Sequence, residues 1–394
     1  MKFILKFLKK ILIALVAILL IATVLLYATG NEYIFRGVQL TYLKGNTTAN
    51  IDDRLDFDTR IIENGTVQEW ELSEDYNKTP LTDTLVKELE AYKSAGFLIV
   101  KDGKILNEEY FNGYNSTSLT NSFSVSKSIL TLLLGKSLED GFIESLDDPI
   151  TKYLPEFKDD TLAQYCTVGD LSAMTAGYDW SESYYLPLNP TAKAYYGRDI
   201  VDQMLSRGFI KESGKEFKYL SGVTQLLGIV ISRAIKKDLS GYLSEKFWKP
   251  MGMSKESYWA LDDEEGMEKA YCCMYSNVRD FAKFGQLILD NGKWNGTQLI
   301  DSSFVALMKT PNHKAFIQKT QPIYGYSLWL DYDYKTPFYS LIGHLGQYVA
   351  IIPSENMIIV RLGENRDRRN TKMGVLPGND LYYYVDEAIE MQSK

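Results

Sequence analysis

Residues 11–27 form an unbroken apolar run, preceded by Lys2, Lys6, Lys9 and Lys10 and by the apolar Phe3, Ile4, Leu5, Phe7 and Leu8. With its flanks the run approaches the roughly 20 residues needed to cross the hydrocarbon core of a bilayer. Apart from Thr23 nothing polar interrupts it, and no charge does, which disfavours a buried core helix. Residues 1–29 are therefore expected to be a membrane anchor. A secretory signal has a shorter apolar centre, about 7–15 residues, but Ala28-Thr29-Gly30 would serve as its cleavage site, so a removed signal is the second reading. No cysteine follows the run, which removes the lipid-anchored variant. On either reading the lysines stay cytoplasmic and the chain from about residue 30 lies on the extracytoplasmic, periplasmic side, or is secreted if cut.

The rest of the chain is an acidic folding body. The net charge is −8 over 394 residues, and the first 29 contribute only lysines, so the remainder is more acidic still. That argues against a nucleic-acid binder, which needs a basic face. Cys166, Cys272 and Cys273 are too few for a disulfide framework, and the adjacent pair lacks zinc-site spacing. Two histidines, His313 and His344, argue against a histidine-rich metal centre.

Residues 30–80 are polar and mixed and read as a spacer that partly packs on the body; the catalytic body is expected over residues 81–394. Residues 81–92 carry Leu85, Leu89 and Tyr92 at helical spacing, and 97–100 and 105–110 flank Asp102-Gly103, a strong hairpin signal. Helical character follows over residues 124–138, closed off by Gly141, and recurs over 219–234, 241–248 and 278–289. Short strands are predicted over 324–330, 338–342, 348–352 and 357–362, then a final helix over 380–391. The economical packing is an α/β (α+β) arrangement: a mixed antiparallel sheet made from both chain ends, flanked by helices, with a mainly helical subdomain inserted.

Three places carry side chains able to do chemistry. In Ser124-Val125-Ser126-Lys127, at a helix start, the three-residue spacing brings the Lys127 amine to the Ser124 hydroxyl. The unpaired N–H groups of a helix N-terminus also favour an anion forming there. The amine is a base only if burial lowers its pKa from about 10.4; the bland reading is a capping serine and a solvated lysine. The second place is Tyr219-Leu220-Ser221, where a phenol relays a proton or simply packs. The third is Gly343-His344-Leu345-Gly346-Gln347, whose glycines leave room for an acyl group and whose Gln347 N–H, with that of Ser124, would face an oxyanion. A structural strand histidine is the plain alternative. A triad of Ser124, His344 and an aspartate is disfavoured, because Lys127 already sits beside the serine. Tyr178, Trp180, Tyr184 and Tyr185 line an entrance or form a self-packed loop.

In order and spacing these elements resemble the penicillin-recognising serine hydrolases, namely DD-peptidases, class C β-lactamases and their esterase and amidase relatives. The likeness extends to Leu146-Asp147-Asp148-Pro149, Thr167-Val168-Gly169-Asp170-Leu171, Pro250-Met251-Gly252-Met253 and Tyr275-Ser276-Asn277. The run 121–127 and the Tyr-x-Ser form are most similar to the 6-aminohexanoate-dimer hydrolase branch. The resemblance implies a β-lactamase/transpeptidase-like fold. It also implies an exported serine hydrolase cleaving a small-molecule or peptide ester or amide through an acyl-enzyme. Ser124, Lys127 and Tyr219 would be its catalytic residues, Gln347, His344, Gly346 and Ser221 its oxyanion and substrate-binding residues, and it would need no metal or organic cofactor. The alternative is a non-catalytic relative that binds cell-wall peptide. Two departures from the family pattern matter: Ser221 replaces an asparagine, and His344-Leu345 replace a lysine and threonine on the binding strand. A permanent cation becomes an imidazole, mostly neutral at pH 7, which argues against efficient β-lactam hydrolysis.

Overall fold

The structure, a computed structural model, describes residues 2–312, 323–367 and 378–393; His313 lies outside them. Along the chain the main elements are helices α1 (Lys2–Ala28) and α2 (Tyr33–Leu40), strand β1 (Thr59–Ile62), helix α3 (Asp83–Ala91), strands β2 (Ser94–Lys101), β3 (Lys104–Tyr110) and β4 (Thr120–Asn121), and helices α4 (Val125–Glu139) and α5 (Ser221–Ile235). Next come β5 (Ser257–Ala260), β6 (Met274–Ser276), α6 (Val278–Leu289), β7 (Ile323–Tyr324), β8 (Trp329–Asp331), β9 (Phe338–Gly343), β10 (Gln347–Ile352), β11 (Met357–Gly363) and α7 (Asn379–Glu390).

Both chain ends build a seven-stranded sheet of order β3-β2-β11-β10-β9-β8-β7, antiparallel throughout. The β2–β3 hairpin turns on Asp102 and Gly103, both at positive φ (52° and 75°), the two-residue turn whose twist suits a hairpin. Asn356, also left-handed at φ 43°, closes the β10–β11 turn and donates to Asp102 Oδ1 at 2.8 Å, tying the two turns together. The strand expected over 324–330 is split into β7 and β8; Ser327 between them is left-handed (φ 54°) and breaks the ladder.

Helix α4 packs between the sheet and α5. Its Val125–Leu134 stretch is buried on every side, Ser126, Lys127, Ser128 and Thr131 included. Its polar groups need partners within the protein. Ser128 donates to Ser327 O, and Thr131 Oγ1 bonds Ser172 Oγ at 2.8 Å.

Residues 31–80 are built into the body. Strand β1 joins a second sheet of order β1-β5-β6-β4, and Ile51, Phe57 and Ile62 enter the core. Asp53, buried at 3% exposure, accepts from Asn121 Nδ2 (3.0 Å), Tyr275 OH (2.9 Å) and Tyr195 OH (2.5 Å). Burial raises its pKa to about 6 against those three donors. Helix α1 contrasts with all of this: 27 residues, apolar almost throughout, none buried against the protein. At 1.5 Å per residue it is about 40 Å long, sufficient to cross a bilayer core.

Candidate active site

Asn121, at the end of β4, sets up the turn into α4. Its Oδ1 accepts from Phe123 N at 2.9 Å, and Phe123 is held left-handed at φ 46°, a conformation costing a non-glycine residue about 1–3 kcal/mol. Ser122 N donates to Met274 O at 2.8 Å, anchoring the turn on β6. The next residue, Ser124, occupies the N-cap position of α4 without making a side-chain cap, so its hydroxyl is left for other partners.

One partner is Lys127, whose Nζ lies 2.9 Å from Ser124 Oγ. Lys127 is 1% exposed, and its two other contacts are also uncharged: Tyr271 O at 2.7 Å and Ser221 Oγ at 3.3 Å. Burial lowers its pKa to about 7, against the raising pull of Glu182.

Hydrogen-bond bookkeeping fixes which way the amine faces. Glu182 Oε1 accepts from Ser221 Oγ at 2.7 Å. Having given its proton to the carboxylate, Ser221 can only accept from Lys127, and the Tyr271 carbonyl can only accept as well. A neutral amine has two N–H groups and one lone pair. The two N–H groups go to Tyr271 O and Ser221 Oγ, which turns the lone pair toward the Ser124 hydroxyl.

Glu182 itself is held at the N-terminus of α5: Oε2 accepts from Ser221 N at 2.8 Å and from Trp180 Nε1 at 3.0 Å. Tyr271 is placed by Trp259, whose indole donates to Lys269 O (3.1 Å) and Cys272 O (2.8 Å) on either side of it. Cys272 and Cys273 are joined by a disulfide, a pairing that the cysteine count did not suggest, and Cys272 lines the cleft.

Tyr219 lines the same small cavity as Ser124, and burial holds its pKa well above the ordinary value, so the phenol keeps its proton. Its ring lies between Lys127, at 5.2 Å, and Trp329, at 5.4 Å.

The serine opens onto two cavities. One, with about 460 Å³ of open space, is bounded by Thr48, Phe123, Tyr184, Tyr195, Tyr271 and His344, among others. The other, about 240 Å³, lies against Tyr219, Ile342, Gly343, His344 and Arg366. His344 is a wall of both: its ring packs on Tyr184 at 4.6 Å and its Nε2 is 3.3 Å from Thr48 Oγ1.

The structure thus brings Ser124, Lys127, Tyr219, Ser221 and His344 together, whereas the side chain of Gln347 and the glycine at 346 serve the adjoining turn. Residues 344–346 form the turn joining β9 to β10, so Gln347 is already on the return strand, paired with Gly343. Its amide donates to His344 O and Gly363 O and accepts from Gly363 N, bracing the turn from behind. Gly346 (φ 83°) makes room for Arg361, 2.6 Å from where its Cβ would stand. The glycine that permits close approach at the site is Gly343: a Cβ there would lie 2.3 Å from Ser122 O. Of the four entrance aromatics, Tyr178 and Trp180 are buried, whereas Tyr184 lines the cleft. Sequence reasoning missed Thr48, Glu182, Tyr271 and Arg366, which come from irregular segments with no periodic signal; only the Tyr184 neighbourhood pointed toward Glu182.

The sequence profile of the β-lactamase family matches residues 82–374, and the chain belongs to that family. A Bacillus anthracis protein assigned as a 6-aminohexanoate-dimer hydrolase superposes with a TM-score of 0.73 at 23% identity, covering 91% of this chain and 93% of that one. A family VIII carboxylesterase superposes with a TM-score of 0.63 at 16% identity, covering 84% of this chain and 100% of that one. The 6-aminohexanoate-dimer hydrolase of Paenarthrobacter ureafaciens is 23% identical over 231 residues, 56% of this chain and 58% of that enzyme's length. The fold is accordingly that of a β-lactamase-type hydrolase.

Proposed function

We propose that the chain is an exported, membrane-anchored serine hydrolase that cleaves an ester or amide through an acyl-Ser124 intermediate. The observation carrying this reading is the arrangement around Lys127: three uncharged partners and a lone pair facing the serine hydroxyl. Lys127 takes the Ser124 proton as Oγ attacks the substrate carbonyl. The oxyanion forms at the α4 N-terminus, against the Ser124 N–H and the backbone at the end of β9 around Gly343 and His344. The Gln347 N–H, on the strand residue paired with Gly343, remains the other candidate donor. The proton held on Lys127 reaches the leaving oxygen or nitrogen by way of the Tyr219 hydroxyl, the carbonyl re-forms, and the leaving group departs. Water then attacks the acyl-enzyme by the same steps in reverse, restoring Ser124.

Helix α1, with no protein to bury its apolar surface, supports the anchor, and the lysines near its start support export of the chain beyond residue 30. An aromatic-packed imidazole at residue 344, in place of a permanent cation, supports esters or simple amides over β-lactams. In the test, Ser124→Ala abolishes both turnover of a chromogenic ester and labelling by a fluorophosphonate. Labelling that survives the substitution overturns the assignment.

A further inference from the structure

Beside the catalytic cleft lies a second groove, with about 400 Å³ of open space, between α2 and residues 184–187. Ile34, Val38, Tyr42, Tyr185, Leu186 and Pro187 make most of it apolar. Thr48, Tyr184, Ala192 and Tyr196 line both this groove and the cleft containing Ser124, so the two abut. Its walls are pinned by Tyr33 OH donating to Pro187 O at 2.9 Å and Thr48 Oγ1 donating to Tyr184 O at 3.2 Å.

The groove's other neighbour is the end of α1. Only residues 29–32 separate α1 from α2, and Tyr27 stacks on Phe35 at 5.7 Å, holding α2 at the mouth of the apolar helix. Around that mouth Leu43, Leu186 and Leu188 stand exposed at 77%, 62% and 69%. A soluble face rarely gathers such residues without a partner. With α1 in the bilayer, the short link and the Tyr27–Phe35 stack keep α2 and its groove close to the membrane surface.

We infer that this groove holds the alkyl chain of a lipid drawn from the bilayer, so that the substrate is a fatty-acyl ester or amide presented at the membrane surface. The inference rests on the proposed anchor and on Ser124 as nucleophile. The chain belongs to the acyl side. Tyr219, the donor to the leaving group, lines the smaller cavity and not the cleft, so the leaving group exits there. The acyl part then occupies the cleft that abuts the groove. Each methylene moved from water into an apolar site is worth roughly fourfold in binding, so even two in the groove exceed tenfold.

The test uses the full chain in phosphatidylglycerol/phosphatidylethanolamine vesicles and two probes, ethyl and dodecyl fluorophosphonate. In each reaction the Ser124 Oγ–P bond forms, the P–F bond breaks, fluoride leaves and the hydroxyl proton passes to Lys127. The expected result is that the dodecyl probe labels Ser124 at least tenfold faster than the ethyl probe, and that Val38→Asp and Leu186→Asp each lower that ratio at least fivefold. The variants sit on opposite walls, and ethyl labelling reports whether each retains an intact site. A wild-type ratio near one overturns the groove. So does a high ratio that both variants leave unchanged, since that reflects partition into the vesicle alone. Failure of both probes to label Ser124 in the wild type instead overturns the serine nucleophile.

Discussion

In the proposed mechanism Lys127 can serve as the base because no carboxylate touches it among the described residues; Glu182 reaches it through the Ser221 hydroxyl. Glu182 raises the lysine's affinity for a proton while burial lowers it, and burial wins. Glu182→Gln removes the raising charge, so the apparent pKa of Ser124 phosphonylation should fall below that of the wild type. Measured as labelling rate against pH, an unchanged midpoint would show that Lys127 does not feel the carboxylate. Lys127→Arg should cost at least a hundredfold in rate, because a guanidinium stays charged at every accessible pH and has no lone pair to offer. Neither Glu182 nor the Tyr271 carbonyl was legible in the sequence, since both come from loops placed by long-range contacts. The Ser124–Lys127 pair was legible because one helical turn fixes it whatever the rest of the chain does.

Among the elements, β9 closely approaches the turn before α4. Gly343→Ala would push a methyl against Ser122 O, beside the turn that holds Phe123 left-handed. The expected cost is about 1–3 kcal/mol of stability together with at least tenfold in labelling rate; thermal unfolding and fluorophosphonate labelling measure the two. Local signals announced the β2–β3 hairpin, α4, α6 and the strands β9 to β11, each with a turn signal or an apolar run long enough to read. Strands β1, β4, β5 and β6 have two to four residues each and exist through pairing with distant partners, so no local pattern marks them. The strand setting expected for residues 343–347 gave way to a turn at 344–346 for a related reason: whether a glycine-rich stretch continues a strand or turns is decided by register.

For the whole molecule, the segment between α1 and α3 is structural. It supplies β1, the buried Asp53 and, through Thr48 and Ala49, a wall of the cleft at Ser124. A chain starting at residue 31 should therefore fold and label, whereas one starting at residue 81 should not give a cooperative thermal transition. A stable, labelled 81–394 fragment would contradict the role given to β1 and Asp53. On the proposed reading the anchor, the groove and the serine lie in sequence from membrane surface to cleft, and the proposed chemistry rests on the Lys127 lone pair. Its most direct measurement is the pH dependence of ethyl fluorophosphonate labelling, with the modified residue located by mass spectrometry. The base works only when neutral, so the rate should be low in acid, rise through a single ionisation near pH 7 and level off above it, with the label on Ser124 and the ionisation lost in Lys127→Met. A label on another residue, or a rate showing no ionisation between about pH 6 and 8, would contradict the account.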